Sequence, residues 1–203
     1  MSAQLSWKGK GKLFFVSLVL FLFVFTTALN LVAYDRGFYR KEFLKFGTYL
    51  VYEDADARLD NLFSYLKYKE PLSPNYFSSR DILHMQDVRK LLSSSVFVAI
   101  LSLFLLLRNI PILKKSFAPM VAAGILLVGL ALFSLLSFDF FFLMFHKISF
   151  SNSYWLMNPF EDTLINLFPE RFFYDAFIRV LVYSFVLLGL DALYVAYKKE
   201  SSA

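Results

Sequence analysis

Cysteine is missing from all 203 residues, and histidine occurs only twice, at His84 and His146. Without cysteine there is no disulfide framework, no thiol nucleophile and no Cys-x-x-Cys metal or redox site. Glycine (seven) and proline (six) are scarce, and no glycine-rich loop is present to cradle phosphates, which excludes kinases and other nucleotide enzymes. No Gly-x-Ser-x-Gly elbow exists, so a serine hydrolase would need an unrecognised nucleophile such as Ser151. The two histidines with Asp87 could ligate zinc, but neither His-Glu-x-x-His nor another metal spacing is present, so no metal is expected. Charged residues make up 18% of the chain with a net charge of +5. No basic stripe with interleaved aromatics accompanies that charge, which argues against nucleic acid as a partner.

What the chain has in abundance is apolar surface: 58% of its residues are hydrophobic and 26 are phenylalanine. A water-soluble domain has no place for so much, so the bilayer is the expected solvent. A hydrocarbon core about 30 Å thick takes roughly 20 apolar residues per helix. Four segments meet that measure: 13–34, 91–107, 117–145 and 177–197. The first follows Lys8, Lys10 and Lys12 and so resembles a secretory signal, but its apolar run exceeds the roughly 7–15 residues of a signal core. It is therefore expected to remain as an anchor.

Lysine and arginine collect in three short stretches: residues 1–12, 108–116 (Arg108, Lys114, Lys115) and the tail 198–203 (Lys198, Lys199). By the positive-inside rule these face the cytoplasm, predicting N-in, C-in topology. The connections 35–90 and 146–176 then face outward; the first holds ten basic and nine acidic residues, the second two basic and four acidic. The expected fold is an all-α integral membrane protein of the plasma membrane: four transmembrane helices and a small extracytoplasmic cap.

Residues 35–90 are too long for a simple loop. Phe38, Phe43 and Phe46 share one helical face, as do Leu59, Leu62, Phe63 and Leu66 behind an acidic start. Residues 71–81, with two prolines, predict an irregular segment, with helix resuming at Ile82 and running into the second span. Alternation over 148–155 predicts a short strand, and 161–169 a short interfacial helix ended by Pro169. Trp155, Phe160, Phe168, Phe172, Phe173 and Tyr174 suit an interfacial aromatic belt.

Both histidines thus fall where an apolar run meets the outer surface. In "HMQDVRK" (84–90), His84 and Asp87 are spaced i,i+3 and project from one helix face. A carboxylate there can orient an imidazole and raise its basicity. The plainer reading is a headgroup-level histidine with Arg89 and Lys90 as interfacial anchors. Asp139 lies seven residues before His146, about 10 Å below it on nearly the same face. An acid within a span is a functional candidate, with Arg179 in the fourth span as its natural partner; a structural ion pair is the alternative.

Two segments together, "HMQDVRK" and "FHKISFSNSYWLMNPFEDTLINLFPERFF" (145–173), resemble the bacterial lipoprotein intramolecular transacylases. The resemblance rests on His84, Met85, Asp87, Val88 and Arg89, and on Phe145, His146, Phe150, Asn152, Trp155, Asp162, Leu164, Ile165, Phe168 and Pro169. It implies a substrate, a diacylated lipoprotein held in membrane lipid, whose N-terminal cysteine carries a diacylglyceryl thioether. It also implies a reaction: the sn-2 acyl chain moves onto the α-amino group of that same cysteine. No cofactor is implied. The residues suit that chemistry independently, because an oriented intramolecular attack needs little beyond proton management. An α-amino group must lose a proton and an alkoxide must gain one, work for which histidine is the fitting side chain. On this reading His84 and His146 are the acid/base pair in either order, and Asp87 orients. Asn152 donates to the oxyanion, Trp155 contributes to the substrate site, and Arg89 or Arg179 contacts ester or carbonyl oxygens. Two other readings stay open: a non-enzymatic membrane protein binding a partner through its cap, and a hydrolase acting on another ester lipid.

Overall fold

In the computed structural model, residues 7–115 and 117–200 are described, without the side chains of 8, 114, 115 and 198–200. Lys8, Lys114, Lys115, Lys198 and Lys199, on which much of the orientation argument rests, lie outside the described side chains. The helices in chain order are α1 (Trp7–Ala33), α2 (Arg36–Phe46), α3 (Thr48–Val51), α4 (Ala55–Leu66), α5 (Ser79–Arg108), α6 (Ile110–Lys115), α7 (Ala118–Leu136), α8 (Phe138–Ser149), α9 (Leu164–Leu167) and α10 (Glu170–Glu200). No strand occurs among the described residues. Four stretches, Gly9–Ala33, Ser79–Arg108, Ala118–Leu136 and Glu170–Tyr197, are long and apolar enough to cross a bilayer. The protein is an all-α integral membrane protein.

Its contacts divide it into two units: Met1–Asn30 with Ser95–Leu136 and Ile178–Ala203, and Leu31–Ser94 with Ser137–Phe177. The first contains most of the apolar length. Val16, Val19, Leu20 and Val24 of α1 pack in one cluster with Leu106, Met120, Ala123, Leu127, Leu188 and Val195. Apolar side chains such as Phe97, Ile100, Ile125 and Leu132 point outward, as expected where lipid, not water, surrounds the helices. Hydroxyls in these spans return their hydrogen to their own helix: Ser17 to the Leu13 carbonyl (2.9 Å), Thr26 to Leu22 (2.6 Å), Ser184 to Val180 (2.8 Å). Asn30 donates to the Thr26 carbonyl and to Ser95 Oγ (2.9 Å), tying α1 to α5.

The second unit is the cap. Asp35 caps α2 by accepting from the Phe38 N–H (3.1 Å). Gly47, at φ +70°, ends α2 and starts α3 in the left-handed conformation that glycine adopts without steric cost. Leu59, Leu62, Phe63 and Leu66 of α4 are all buried, as their spacing predicts. Tyr39 meets Phe63, Phe168 and Phe172 at ring separations of 5.1, 5.7 and 5.0 Å, and Phe43 meets Phe168 at 5.6 Å, so the cap core is aromatic.

The backbone differs from the sequence-based expectations in four places. The third apolar segment, 117–145, is not one helix: Ser137 is extended (φ −159°, ψ 94°) and separates α7 from α8. Serine and aspartate both offer local hydrogen bonds that compete with helix interiors, and Asp139 falls in the first turn of α8, where an acid suits the dipole. The connection 108–116 contains α6. The predicted strand over 148–155 is instead the end of α8 followed by turns. There Asn152 Oδ1 accepts from the Tyr154 N–H (3.1 Å) and Trp155 Nε1 donates to the Asn152 carbonyl (2.8 Å), satisfying groups a ladder would otherwise pair. Helix α5 starts at Ser79 rather than Ile82, because Ser78 and Asp81 form a reciprocal capping box: Ser78 Oγ accepts from the Asp81 N–H and the Asp81 carboxylate from the Ser78 N–H, both at 3.0 Å.

Candidate active site

Helix α5 has 30 residues and therefore spans about 45 Å, well beyond a hydrocarbon core of about 30 Å. Its first turns, through Lys90, are charged; the apolar run begins only at Leu91. His84 lies in that polar beginning and His146 in the last turn of α8. Both are buried, 9% and 8% exposed, an uncommon placement for a titratable ring. Their rings are near-parallel (23°) with centroids 6.1 Å apart.

Phenylalanine explains the burial. Phe150 contacts both rings, 5.0 Å from His84 and 5.6 Å from His146. Phe142 (4.3 Å), Trp155 (5.2 Å) and Phe145 (5.4 Å) complete the wall around His146. Burial among these groups disfavours the charged imidazolium, so both pKa values are depressed. For His84 the value falls to about 4 through burial first and the neighbouring His146 second, with Asp87 opposing. For His146 burial again leads, opposed by the Phe142 carbonyl. At neutral pH both rings are neutral.

The tautomer of His146 follows from one hydrogen bond. Its Nδ1 is 2.8 Å from the Phe142 carbonyl oxygen, which can only accept, so Nδ1 carries the hydrogen and Nε2 keeps its lone pair. His84 differs: its Nδ1 is buried with no hydrogen-bond partner among the described residues. A buried, unsatisfied nitrogen is costly and typical of functional sites.

Asp87 does not hydrogen-bond His84. Its carboxylate accepts from Asn152 Nδ2 (2.8 Å) and Lys90 Nζ (3.1 Å), and the Asn152 bond is the leading reason its carboxyl is held below the usual range. Asp87 therefore acts on the ring through space and fastens the 150–155 turn to α5. Asn152, committed to Asp87, Tyr154 and Trp155, has one amide hydrogen left for another acceptor. The remaining candidates lie elsewhere. Arg89 lies on the opposite side of α5, against Tyr65 and Tyr68. Asp139 lies beside Glu170. Arg179 belongs to the other unit, where Nε donates to the Tyr183 hydroxyl (3.0 Å). No cluster of three or more His, Cys, Asp or Glu residues able to hold a metal occurs among the described residues.

Two acids with no role expected from the sequence, Asp81 and Asp162, hold the site together. Asp81, fully buried three residues before His84, accepts backbone N–H groups from Thr163 (2.9 Å) and Leu164 (3.3 Å) as well as from Ser78. It thereby caps α9, whose own N-cap residue Thr163 makes no side-chain cap. Asp162 accepts from Ser78 Oγ (2.6 Å) and the Asn158 N–H (2.7 Å). Together they bind the loop that follows His146 to the turn that precedes His84. The Ser-x-x-Asp pattern at 78–81 was the signal available in the sequence.

Residues 14–173 match the family model of the lipoprotein intramolecular transacylase Lit. The chain is 32% identical to an uncharacterised protein of Aquifex aeolicus (strain VF5) over 129 residues, 58% of this chain and 55% of that relative; the match spans little more than half of the relative's length. Its fold is similar to an in meso structure of the membrane integral lipoprotein intramolecular transacylase Lit from Bacillus cereus, with a TM-score of 0.70 and 24% identity over 93% of this chain and 96% of that one. Two variants of the same Bacillus cereus protein, with a histidine replaced by alanine or by arginine, have TM-scores of 0.70 and 0.68, each at 24% identity over 94% of this chain and 94% or 93% of theirs.

Proposed function

Because the chain belongs to the lipoprotein intramolecular transacylase family, we propose that it moves the sn-2 acyl chain of a diacylglyceryl-cysteine onto the α-amino group of that cysteine, using His146 and His84 to handle the proton. The product is an N-acylated, lyso-glyceryl lipoprotein. The observation that carries the mechanism is the pair of buried rings 6.1 Å apart, one with a defined tautomer and one with an unpartnered nitrogen.

The amine attacks the sn-2 ester carbonyl within the same substrate molecule, a new C–N bond forms, and the ester C–O bond to the glyceryl oxygen breaks. One N–H proton leaves the amine and one O–H forms on the glycerol. His146 Nε2, whose lone pair the Phe142 hydrogen bond keeps available, takes the first proton. His84, neutral, relays a proton to the leaving oxygen, accepting at one ring nitrogen as it releases from the other. The proton His84 accepts is the one His146 took, so His146 ends as it began. His84 ends in its other tautomer and resets by exchange before the next turnover, and the reaction consumes no net proton. The aromatic wall of Phe142, Phe145, Phe150 and Trp155 excludes water and packs the acyl chain, which favours transfer to nitrogen over hydrolysis. Asn152, Asp87 and the Asp81–Asp162 links position the two histidine-bearing segments, and the remaining Asn152 amide hydrogen is available to the oxyanion. The site opens on the extracytoplasmic side of the plasma membrane, N- and C-termini inside, with the spans ordered as the charge distribution predicts.

The test is mass spectrometry of the N-terminal peptide of a diacylated lipoprotein co-expressed with this protein or with His146→Ala. Intramolecular transfer leaves intact mass unchanged, so fragmentation must locate the chain. A nitrogen-linked chain with wild type only supports the proposal. Loss of one acyl mass with free fatty acid would make the protein a hydrolase. An unchanged diacylglyceryl group with well-expressed wild type would discard the enzyme altogether.

A further inference from the structure

The side of α5 that faces away from His84 lines a recess of about 440 Å³, whose lining includes Tyr65, Tyr68, Lys69, Glu70, Gln86 and Arg89. The proposed transfer makes no use of it. Its most organised member is Arg89. The guanidinium carbon lies 4.0 Å from the Tyr65 ring centroid and 4.4 Å from that of Tyr68, so two aromatic rings hold it. Of its five N–H groups, one is given to the Tyr65 carbonyl by Nη1 at a long 3.4 Å. No carboxylate among the described residues comes within salt-bridge distance of it, Glu70 included.

The surroundings are built to keep it so. Tyr68 has φ +58°, a conformation a bulky residue adopts only when its surroundings require it, and its hydroxyl is fixed to Ser93 Oγ at 2.8 Å. Tyr65 is 5% exposed, yet its hydroxyl has no hydrogen-bond partner among the described residues. A held guanidinium fork and a second cation, Lys69, outnumber the single carboxylate, Glu70, around one cavity and make it a receptor for an anion. Arg89 precedes the apolar run by two residues, which is headgroup depth for a spanning helix. The volume falls in the range of small-ligand sites.

We propose that this recess binds the phosphodiester headgroup of an anionic membrane phospholipid, separately from the histidine site. The inference does not depend on the transacylase reading. It is tested on the full-length protein in detergent by native mass spectrometry, with phosphatidylglycerol and phosphatidylcholine offered in equal amounts. Three variants are compared: Arg89→Gln, Gln86→Trp, which fills the recess from an exposed position, and Lys41→Gln, which removes an exposed lysine outside it. Wild type and K41Q are expected to retain phosphatidylglycerol about fivefold over phosphatidylcholine, and R89Q and Q86W to lose that preference. If R89Q fails to fold, Q86W decides alone. The proposal is overturned by an unchanged preference in Q86W, by an equal loss in K41Q, by no preference in wild type, or by a short acidic peptide displacing the lipid from wild type.

Discussion

Two histidines behave differently here because of what each ring nitrogen touches. His146 has its Nδ1 hydrogen pinned to a carbonyl, whereas His84 has a buried nitrogen with nothing to bond. Burial lowers both pKa values below the ordinary 6.5, to about 4 for His84. On the proposed mechanism the neutral rings do the work, so the histidines impose no loss of rate above pH 6.5 and a decline only as pH falls through their depressed values; the substrate's α-amino group, with a pKa of about 8, titrates separately. A pH–rate profile on purified protein checks this: with the α-amino titration measured on the free substrate and divided out, a remaining acid limb centred at or above 6.5 would contradict it. The same sign governs stability. Where folded values lie below unfolded ones, the unfolded chain binds more protons between about pH 4 and 6.5, so the melting temperature should fall as pH is lowered through that window. Replacing either histidine by alanine is expected to reduce transfer by about 10²–10⁴-fold, the usual contribution of one acid or base. Fragmentation mass spectrometry against time reads that loss.

At the scale of elements, the site depends on caps and clamps more than on long helices. Asp81 serves two helices at once, completing the capping box of α5 and supplying the cap that α9 lacks. Asp81→Ala leaves three N–H groups, one buried and two part-buried, without their acceptor and should cost about 1–3 kcal/mol in thermal or denaturant unfolding. A smaller effect is expected at Gly47, where alanine at φ +70° costs about 1 kcal/mol; a melt of Gly47→Ala compared with Gly129→Ala, a site with open space, isolates the conformational part. The expected strand over 148–155 failed for a related reason. Alternation there is real, but Asn152 and Trp155 satisfy backbone groups locally, and no partner strand exists among the described residues. Alternating sequence marks a strand only where another edge is present to pair with it.

For the whole molecule, orientation is the testable quantity. The absence of cysteine makes the experiment clean, since any thiol introduced is unique. Cysteine placed at the exposed positions Lys67 and Glu161 should react with a membrane-impermeant maleimide in intact cells, and at Arg108 only after lysis. Labelling of Arg108→Cys in intact cells would reverse the topology and move the histidine site to the cytoplasmic face.

Composition and hydrophobic run length alone determined that the protein is helical and embedded in a membrane, because a bilayer admits few ways to satisfy a buried backbone. Spacing alone identified the buried stripe of α4, and two short motifs marked the histidines, since rare titratable residues at the edges of apolar runs stand out in a chain so poor in polar groups. Only the tertiary structure decided that His84 and His146 face each other across Phe150, that Asp87 bonds Asn152 rather than His84, and that Arg89 belongs to a separate recess. Periodicity reports which face of a helix a residue occupies, but not which neighbour waits there; 62 positions separate the two histidines along the chain. Ring geometry and hydrogen-bond partners are properties of packing, and packing is set by contacts that no local window of sequence contains.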